Sequence, residues 1–295
     1  MAHQTLNIVG CGKLGQALGR VFLAKGLIER LRICNRTIES SRRAVEFLGG
    51  GEPIESVSRL PQSKLWMIAS PDDEIEKLAR SMRDQADVSP GDVVFHCSGA
   101  LSSAVLSPVS ERGALIASVH PIRSFADPAQ AAERFLGTHC ACEGDVAAIV
   151  VLTQLFEAIG GHVFSIATEA KLLVHAGHVF ASNYLVAVVE CAERVYAQAG
   201  VAEVTYREFL RSLVISAAEN VTTLGVTRAL TGPISRGQVS LVDDQYRSVQ
   251  GVSAELAKLY AALGTVAADI GERQGLPPEV VRELKAKLSK VTKTA

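Results

Sequence analysis

The sequence predicts an α/β fold, a doubly wound parallel sheet followed by an all-α second half. Three observations carry that expectation: a glycine turn set between a strand and a helix, alternating apolar runs and helical patterns to about residue 166, and helical periodicity alone after it. The first strand is the apolar run at residues 6–9. Gly10-Cys11-Gly12-Lys13-Leu14-Gly15 follows at once, and Leu14, Ala17, Leu18, Val21 and Phe22 then recur at helical spacing. In that setting Gly10 permits a tight turn, Gly12 lets the backbone approach a pyrophosphate, and Gly15 lets the helix pack close to the strand. The N–H groups of the first helical turn, from Lys13 and Leu14 onward, and the helix dipole supply an anion site. The plainer alternative is a glycine-rich turn that binds nothing.

A second strand, residues 31–34, ends at Asn35-Arg36-Thr37. A dinucleotide-binding chain that takes the unphosphorylated cofactor places an acidic residue about 20 positions after its glycines, to accept from a ribose 2′-hydroxyl. A carboxylate there repels a 2′-phosphate, and Asn35 removes that repulsion. Arg36 can lie against the phosphate or the adenine face, Thr37 can donate a hydroxyl, and Ser40, Ser41, Arg42 and Arg43 add donors and charge. The expected cofactor is therefore NADP(H) rather than NAD(H). Thr37 also reads as a helix N-cap, and capping is compatible with phosphate binding.

The alternation continues with a strand at residues 65–69 running into Ser70-Pro71 and a helix opened by Asp72 or Asp73. Residues 92–96 lead into Cys97-Ser98-Gly99 and a helix from about Ser102, and residues 114–119 run into His120-Pro121. Residues 138–143 and 162–166 read as two further strands flanking a helix at 145–158. In open sheets of this kind ligands lie over the carboxyl ends of the strands. Ser70, Ser98 and Gly99 are accordingly expected at the cofactor, and His120 at the substrate.

Residues 167–199 read as one long, mostly apolar helix, and the rest of the chain as helices with short breaks. The expected domains are 1–166 for the cofactor and 167–295 for substrate and dimerisation. The apolar stretch approaches membrane-crossing length, but Lys171, His175, His178, Asn183 and Glu190 interrupt it. A buried spine or a homodimer interface is the simpler reading, and no membrane partner is expected.

With 295 residues, 48% of them hydrophobic, the chain is long enough for two cores. Its formal charge of -1 gives no electrostatic reason to expect nucleic acid. The N-terminal residues show no basic region followed by an apolar run, so a cytoplasmic protein is expected. Six cysteines form no CxxC pair and read as buried free thiols, with no metal site.

Lys171 and His175 stand at i and i+4 on one helix face, with Ser182 and Asn183 further along. A lysine opening a buried helix can donate a proton to a carbonyl oxygen as hydride reaches its carbon, with Asn183 orienting the substrate. The alternatives are a lysine snorkelling to water and a core histidine. Thr231-Gly232-Pro233 is turn chemistry, so Arg236 reads either as a solvated loop residue or as a clamp for a substrate carboxylate on a loop folded over the cleft, and Ser182 is expected at the substrate too.

Together with His96-Cys97-Ser98-Gly99, Ser118-Val119-His120-Pro121, Phe180-Ala181-Ser182-Asn183-Tyr184 and Leu230-Thr231-Gly232-Pro233-Ile234-Ser235-Arg236-Gly237, these residues resemble a bacterial group. Its members join a Rossmann-like domain to a C-terminal DUF2520 domain, and the likeness extends over nearly the whole chain. The resemblance implies an NADP-dependent oxidoreductase, since some members act as an alternative type of ketopantoate reductase. Wider relatives include pyrroline-5-carboxylate reductase, 6-phosphogluconate dehydrogenase and prephenate dehydrogenase, and they pair through the helical domain. Lys171 and Asn183 match the lysine and asparagine that relatives use on their first long C-terminal helix. Val174, where a tyrosine often precedes the histidine, and Gln238, where an aspartate often follows Arg-Gly, depart from the group's pattern and bear on the substrate. The expected reaction is reduction of a small 2-keto acid, ketopantoate first, with Lys171 as proton donor and His175 and Asn183 assisting. Another dehydrogenase of this fold, acting on prephenate or a pyrroline carboxylate, and a non-catalytic NADPH-binding protein are the alternatives.

Overall fold

The computed structural model describes residues 4–289. The chain divides into two compact units, Met1–Phe180 and Ala181–Ala295. In the first unit the chain runs β1 (Gln4–Val9), α1 (Lys13–Ala24), β2 (Ile28–Cys34), α2 (Ile38–Leu48), β3 (Glu52–Ile54), β4 (Leu65–Ile68), α3 (Asp72–Gln85) and β5 (Val93–His96). It continues through α4 (Ser107–Ser110), β6 (Leu115–Pro121), α5 (Pro128–Glu133), β7 (His139–Gly144), α6 (Val146–Ala158), β8 (His162–Ser165) and α7 (Lys171–Ala181).

The eight strands form one sheet in the order β3-β2-β1-β4-β5-β6-β7-β8. The chain winds outward from β1 to β3 and crosses back to β4, so the carboxyl ends of β1 and β4 meet at the switch point where open sheets bind ligands. All neighbours are parallel except β6 and β7, which run antiparallel. The expectation of a parallel sheet is corrected at that one pair, where only the six-residue α5 lies in the connection. β3 went unpredicted because three residues, one of them Pro53, leave no alternation to read. The helix expected from about Ser102 is a 3-10 turn at Ser103–Leu106 followed by the four-residue α4.

Each central strand feeds two cores. Leu6, Ile8, Met67 and Phe95 pack with Leu18 and Phe22 of α1 and Phe156 of α6, while Trp66, Ile68 and Val94 pack with Ile75, Ala79 and Met82 of α3. Residues at alternate positions thus point to opposite faces, which is why these strands read as continuous apolar runs. Phe156 meets Phe22 edge-on at 5.7 Å and Phe95 at 6.2 Å. Such pairs contribute about 0.5–1.5 kcal/mol beyond their buried area.

The second unit holds α8 (Asn183–Gln198), α9 (Glu203–Leu224), α10 (Val226–Ala229), α11 (Val239–Val252), α12 (Ala254–Arg273) and α13 (Pro278–Leu288). Its core is Val242 and Tyr246 of α11, Ala257, Ala261 and Ala268 of α12, and Val281, Leu284 and Leu288 of α13. Gly264 makes the approach of α13 possible, because a Cβ there would lie 2.8 Å from Leu288 Cδ1. α8 buries none of its residues, and Val186 is 71% exposed.

The single long helix expected over 167–199 is broken. A 3-10 turn at Thr168–Ala170 leads into α7, and Ser182 (φ −126°, ψ −71°) leaves helical geometry before α8 begins. By length and composition the segment Thr168–Gln198 is long and apolar enough to cross a membrane. The break divides it into pieces of 11 and 16 residues.

Candidate functional site

Gly10, Gly12 and Gly15 take up separate tasks in the loop that joins β1 to α1. Gly10 sits at φ +76°, and a Cβ there would fall 1.7 Å from Ser70 Oγ, so a side chain is excluded on both counts. At Gly15 a Cβ would stand 2.9 Å from that of Ala69, which is how the helix lies against the end of β4. Gly12 is the N-cap of α1 and carries no side chain to cap it, so the first-turn N–H groups, including those of Lys13 and Leu14, face outward. This cradle fits the phosphates of a dinucleotide.

The loop is braced from β2. Asn35 Oδ1 accepts from the Cys11 N–H at 2.5 Å, its backbone N–H donates to Ser41 Oγ at 2.9 Å, and its Nδ2 donates to Ser40 Oγ at 3.2 Å. Asn35 therefore holds the glycine loop against the end of the second strand. Thr37 caps α2, with Oγ1 accepting from the Ser40 N–H at 3.2 Å. Arg36, Arg42 and Arg43 are exposed beside it, with Glu39 the acid of the first turn. Ser41 is corrected out of the donor set: it is fully buried, and its hydroxyl lies against the carbonyls of Thr37 and Ile54.

At the next two strand ends the hydroxyls have different surroundings. Ser70 is half-buried against Gly10. Ser98 is buried, and its Oγ accepts from the N–H groups of Ala100 and Leu101 at 3.1 and 2.9 Å. Its oxygen braces the turn after β5 and its backbone N–H donates to His96 Nδ1, while the hydroxyl hydrogen can still be donated to a ligand. Gly99 is needed for another reason: a Cβ would lie 2.4 Å from His175 Cδ2 and 2.9 Å from His120 Nε2.

Lys171 opens α7 but does not snorkel; it is 2% exposed. Its Nζ donates to Ser118 Oγ at 2.7 Å and stands 3.7 Å from Glu143 Oε1. The sheet register explains the meeting, since His96 pairs with Ser118 and Ser118 with Glu143, level across β5, β6 and β7. Glu143 is itself held by three donors: the Ser103 N–H at 2.8 Å, Ser103 Oγ at 2.7 Å and Thr168 Oγ1 at 3.1 Å. His96 Nδ1 accepts from the Ser98 N–H at 3.1 Å, which puts its proton on Nε2, opposite the Ser102 carbonyl at 3.1 Å. Ser118 Oγ lies 3.5 Å from the same Nδ1, so the polar row runs from Lys171 through Ser118 to His96.

Burial governs the electrostatics. It lowers the Lys171 pKa from the ordinary lysine value, with the Glu143 carboxylate acting in the opposite direction. It also brings His96 down to about 4, against the Ser102 carbonyl and with help from the Lys171 charge. His120 falls to about 4 as well, mainly through burial. Both rings are neutral at neutral pH. His120 Nδ1 faces the Cys97 carbonyl at 3.3 Å, leaving Nε2 as an acceptor toward Gly99.

His120, His175 and His178 form a half-buried cluster, with ring centroids 5.9 Å apart for His120 and His175, and 5.7 Å for His120 and His178. Among the described residues no three His, Cys, Asp or Glu could hold a metal ion. Cys140 and Cys142 share a face as their spacing requires, and burial raises both thiols to about 12.

The first unit thus brings Lys171, His175 and His120 together, beside the carboxyl ends of β5 and β6. Ser182, Asn183 and Arg236 belong to the second unit. Ser182 Oγ donates to Asn183 Oδ1 at 3.0 Å where α8 starts, and Arg236 is exposed with Nε donating to Gln238 Oε1 at 3.2 Å. The break at Ser182 ends the continuous helix face on which the spacing had placed Ser182 and Asn183 with Lys171. Sequence reasoning missed Glu143, Ser103 and Thr168. The available signal was an acid at the end of the apolar run Cys140-Ala141-Cys142, a position that buries a charge unless a cation meets it.

Residues 1–121 match the family described as a Rossmann-like domain, and residues 138–267 match a domain of unknown function, DUF2520. None of the curated proteins matches the sequence. Among solved structures, protein TM1727 from Thermotoga maritima superposes with a TM-score of 0.74 at 25% identity, over 92% of this chain and 99% of that one. A reductive aminase from Aspergillus terreus, in complex with NADPH and ethyl-5-oxohexanoate, gives 0.58 at 16% identity, over 97% and 93% of the two chains. A pyrroline-5-carboxylate reductase from Coxiella burnetii gives 0.56 at 13%, over 98% and 97%.

Proposed function

We propose, for a chain that belongs to the proteins joining a Rossmann-like domain to DUF2520, the NADPH-dependent reduction of a small 2-keto acid, with ketopantoate as the leading substrate. The observation that carries the reading is the uncapped N-terminus of α1 behind Gly10, Gly12 and Gly15, braced by a neutral Asn35 with Arg36 exposed beside it. That arrangement suits a pyrophosphate at the helix and a 2′-phosphate at the end of β2. The solved reductive aminase that shares this fold holds NADPH, which supports the same class of cofactor.

When bound, NADPH supplies the hydride. The chain's own contribution is the proton for the forming alkoxide. Lys171 is the source, because it opens the helix beside the cluster and burial lowers its pKa from the ordinary lysine value, which makes its proton easier to release. Its ammonium is sealed off at 2% exposure, so the proton leaves through a neighbour at the edge of the cluster. His175, one turn along the same helix and half-buried, is that relay. His120, neutral with Nε2 as an acceptor, receives a hydroxyl or amide hydrogen of the ligand.

Purified protein mixed with NADPH and ketopantoate tests the reading directly through loss of NADPH absorbance. The expected result is turnover that is faster with NADPH than with NADH. NADPH binding with no oxidation above the substrate-free control would remove ketopantoate.

A further inference from the structure

We propose that Glu143 is the positioning residue of this site: it fixes the Lys171 ammonium in place and keeps it charged, and so sets the pH range over which Lys171 can release a proton. The inference rests on Lys171 as proton source.

Glu143 is 1% exposed, and its carboxylate is anchored without any help from Lys171. One oxygen accepts from the Ser103 N–H, and the other from the hydroxyls of Ser103 and Thr168. These donors come from the 3-10 turn after β5 and the 3-10 turn that leads into α7. The seat is therefore built before the lysine enters it, and Thr168 ties it to the helix that carries Lys171. The ammonium is held 3.7 Å from this carboxylate, with Ser118 Oγ accepting at 2.7 Å.

The other groups around Lys171 do not replace that charge. His96, at the end of β5, is neutral, and so is His120 of β6. The Cys97 thiol after β5 is pushed far up by burial, and that of Cys142 on β7 to about 12, so neither is a thiolate at neutral pH. Burial lowers the Lys171 pKa and Glu143 opposes it, both by charge and by hydrogen bonding. Removing the carboxylate charge leaves burial unopposed, so the ammonium loses its proton at a lower pH. An opposite charge at this range holds a pKa by about 1–3 units.

The test is Glu143→Gln, which keeps the shape and removes the charge. Lysine side chains labelled with carbon-13 are titrated by NMR, with the Lys171 signal identified by its loss in Lys171→Met. The Lys171 midpoint is expected to fall by at least about one unit. In the kcat profile with NADPH and ketopantoate, the limb on the alkaline side is expected to move down with it. Glu143→Asp, which restores the charge from a shorter side chain, should recover part of both shifts. An unchanged Lys171 midpoint in a folded Glu143→Gln protein overturns the proposal. So does a wild-type Lys171 that is already a neutral amine at pH 7. Absence of wild-type turnover with a normal Lys171 titration would instead be a failure of the reductase reading.

Discussion

The glycine loop and the Lys171 seat lie at the same edge of one sheet, yet they are made by opposite means. The loop is built from backbone: Gly10, Gly12 and Gly15 leave side chains out, and the helix N–H groups they expose are the chemistry. The seat is built from side chains, with Lys171, Glu143, Ser118, Ser103 and Thr168 all buried or bonded to one another. A backbone site tolerates solvent, because its donors are satisfied by water until a ligand arrives. A buried ion pair does not, because either charge alone has lost its hydration and the opposite charge that offset the loss. The two regions should therefore respond differently to single substitutions.

The largest effect is expected at the seat. Lys171→Met retains the length and apolar stem of the lysine but leaves the Glu143 carboxylate in place at 1% exposure without its cation. Breaking a buried pair in this way costs about 3–5 kcal/mol. Urea unfolding would read it. A loss below about 1 kcal/mol, the range of exposed pairs, would mean that the pair is solvated in solution and that the contrast with the loop is not one of burial.

The same contrast explains what could be read in the sequence. The loop and its helix lie in one continuous stretch, residues 10–24, and each depends on a local rule, a turn that needs glycine and a helix start, whereas the Asn35 brace on the Cys11 N–H is a contact across 24 positions that the sequence did not announce. The loop and its helix were legible. The seat gathers residues 103, 118, 143, 168 and 171 from separate segments, and Glu143 reaches Ser118 only because β7 returns antiparallel to β6. No periodicity announces a reversal of strand direction, so Glu143 was passed over while Lys171, at a helix start, was not. The break at Ser182 was hidden for a related reason. The residues on both sides, Phe180, Ala181 and Tyr184 among them, suit a helix, so local propensity carries no sign of the break.

A smaller effect is expected at Gly10. Gly10→Ala places a side chain at φ +76°, which costs about 1–2 kcal/mol for a residue other than glycine, and pushes its Cβ onto Ser70 Oγ. Ser70 can rotate, so the fold survives, but the loop must shift to make room. Thermal unfolding is expected to show a modest destabilisation, while NADPH affinity measured by fluorescence titration falls more than stability does. Equal losses in stability and affinity would show that the loop behaves as ordinary packing, like the seat.

The smallest change in stability, and the most selective in function, belongs to Asn35. Asn35→Asp keeps the oxygen that accepts from the Cys11 N–H, and Ser40 Oγ, now an acceptor for Nδ2, can donate to the new carboxylate. The brace is preserved and unfolding should barely move. What changes is a negative charge at the end of β2, where the proposed 2′-phosphate sits and where the exposed guanidinium of Arg36 is its partner. Repulsion there is expected to weaken NADPH binding by roughly tenfold, about 1.4 kcal/mol, and to leave NADH binding unchanged or tighter. Because the charge is near solvent, the penalty should shrink as salt is raised. A variant that binds NADPH as wild type does would place the phosphate elsewhere, and Asn35 would then be a brace and nothing more.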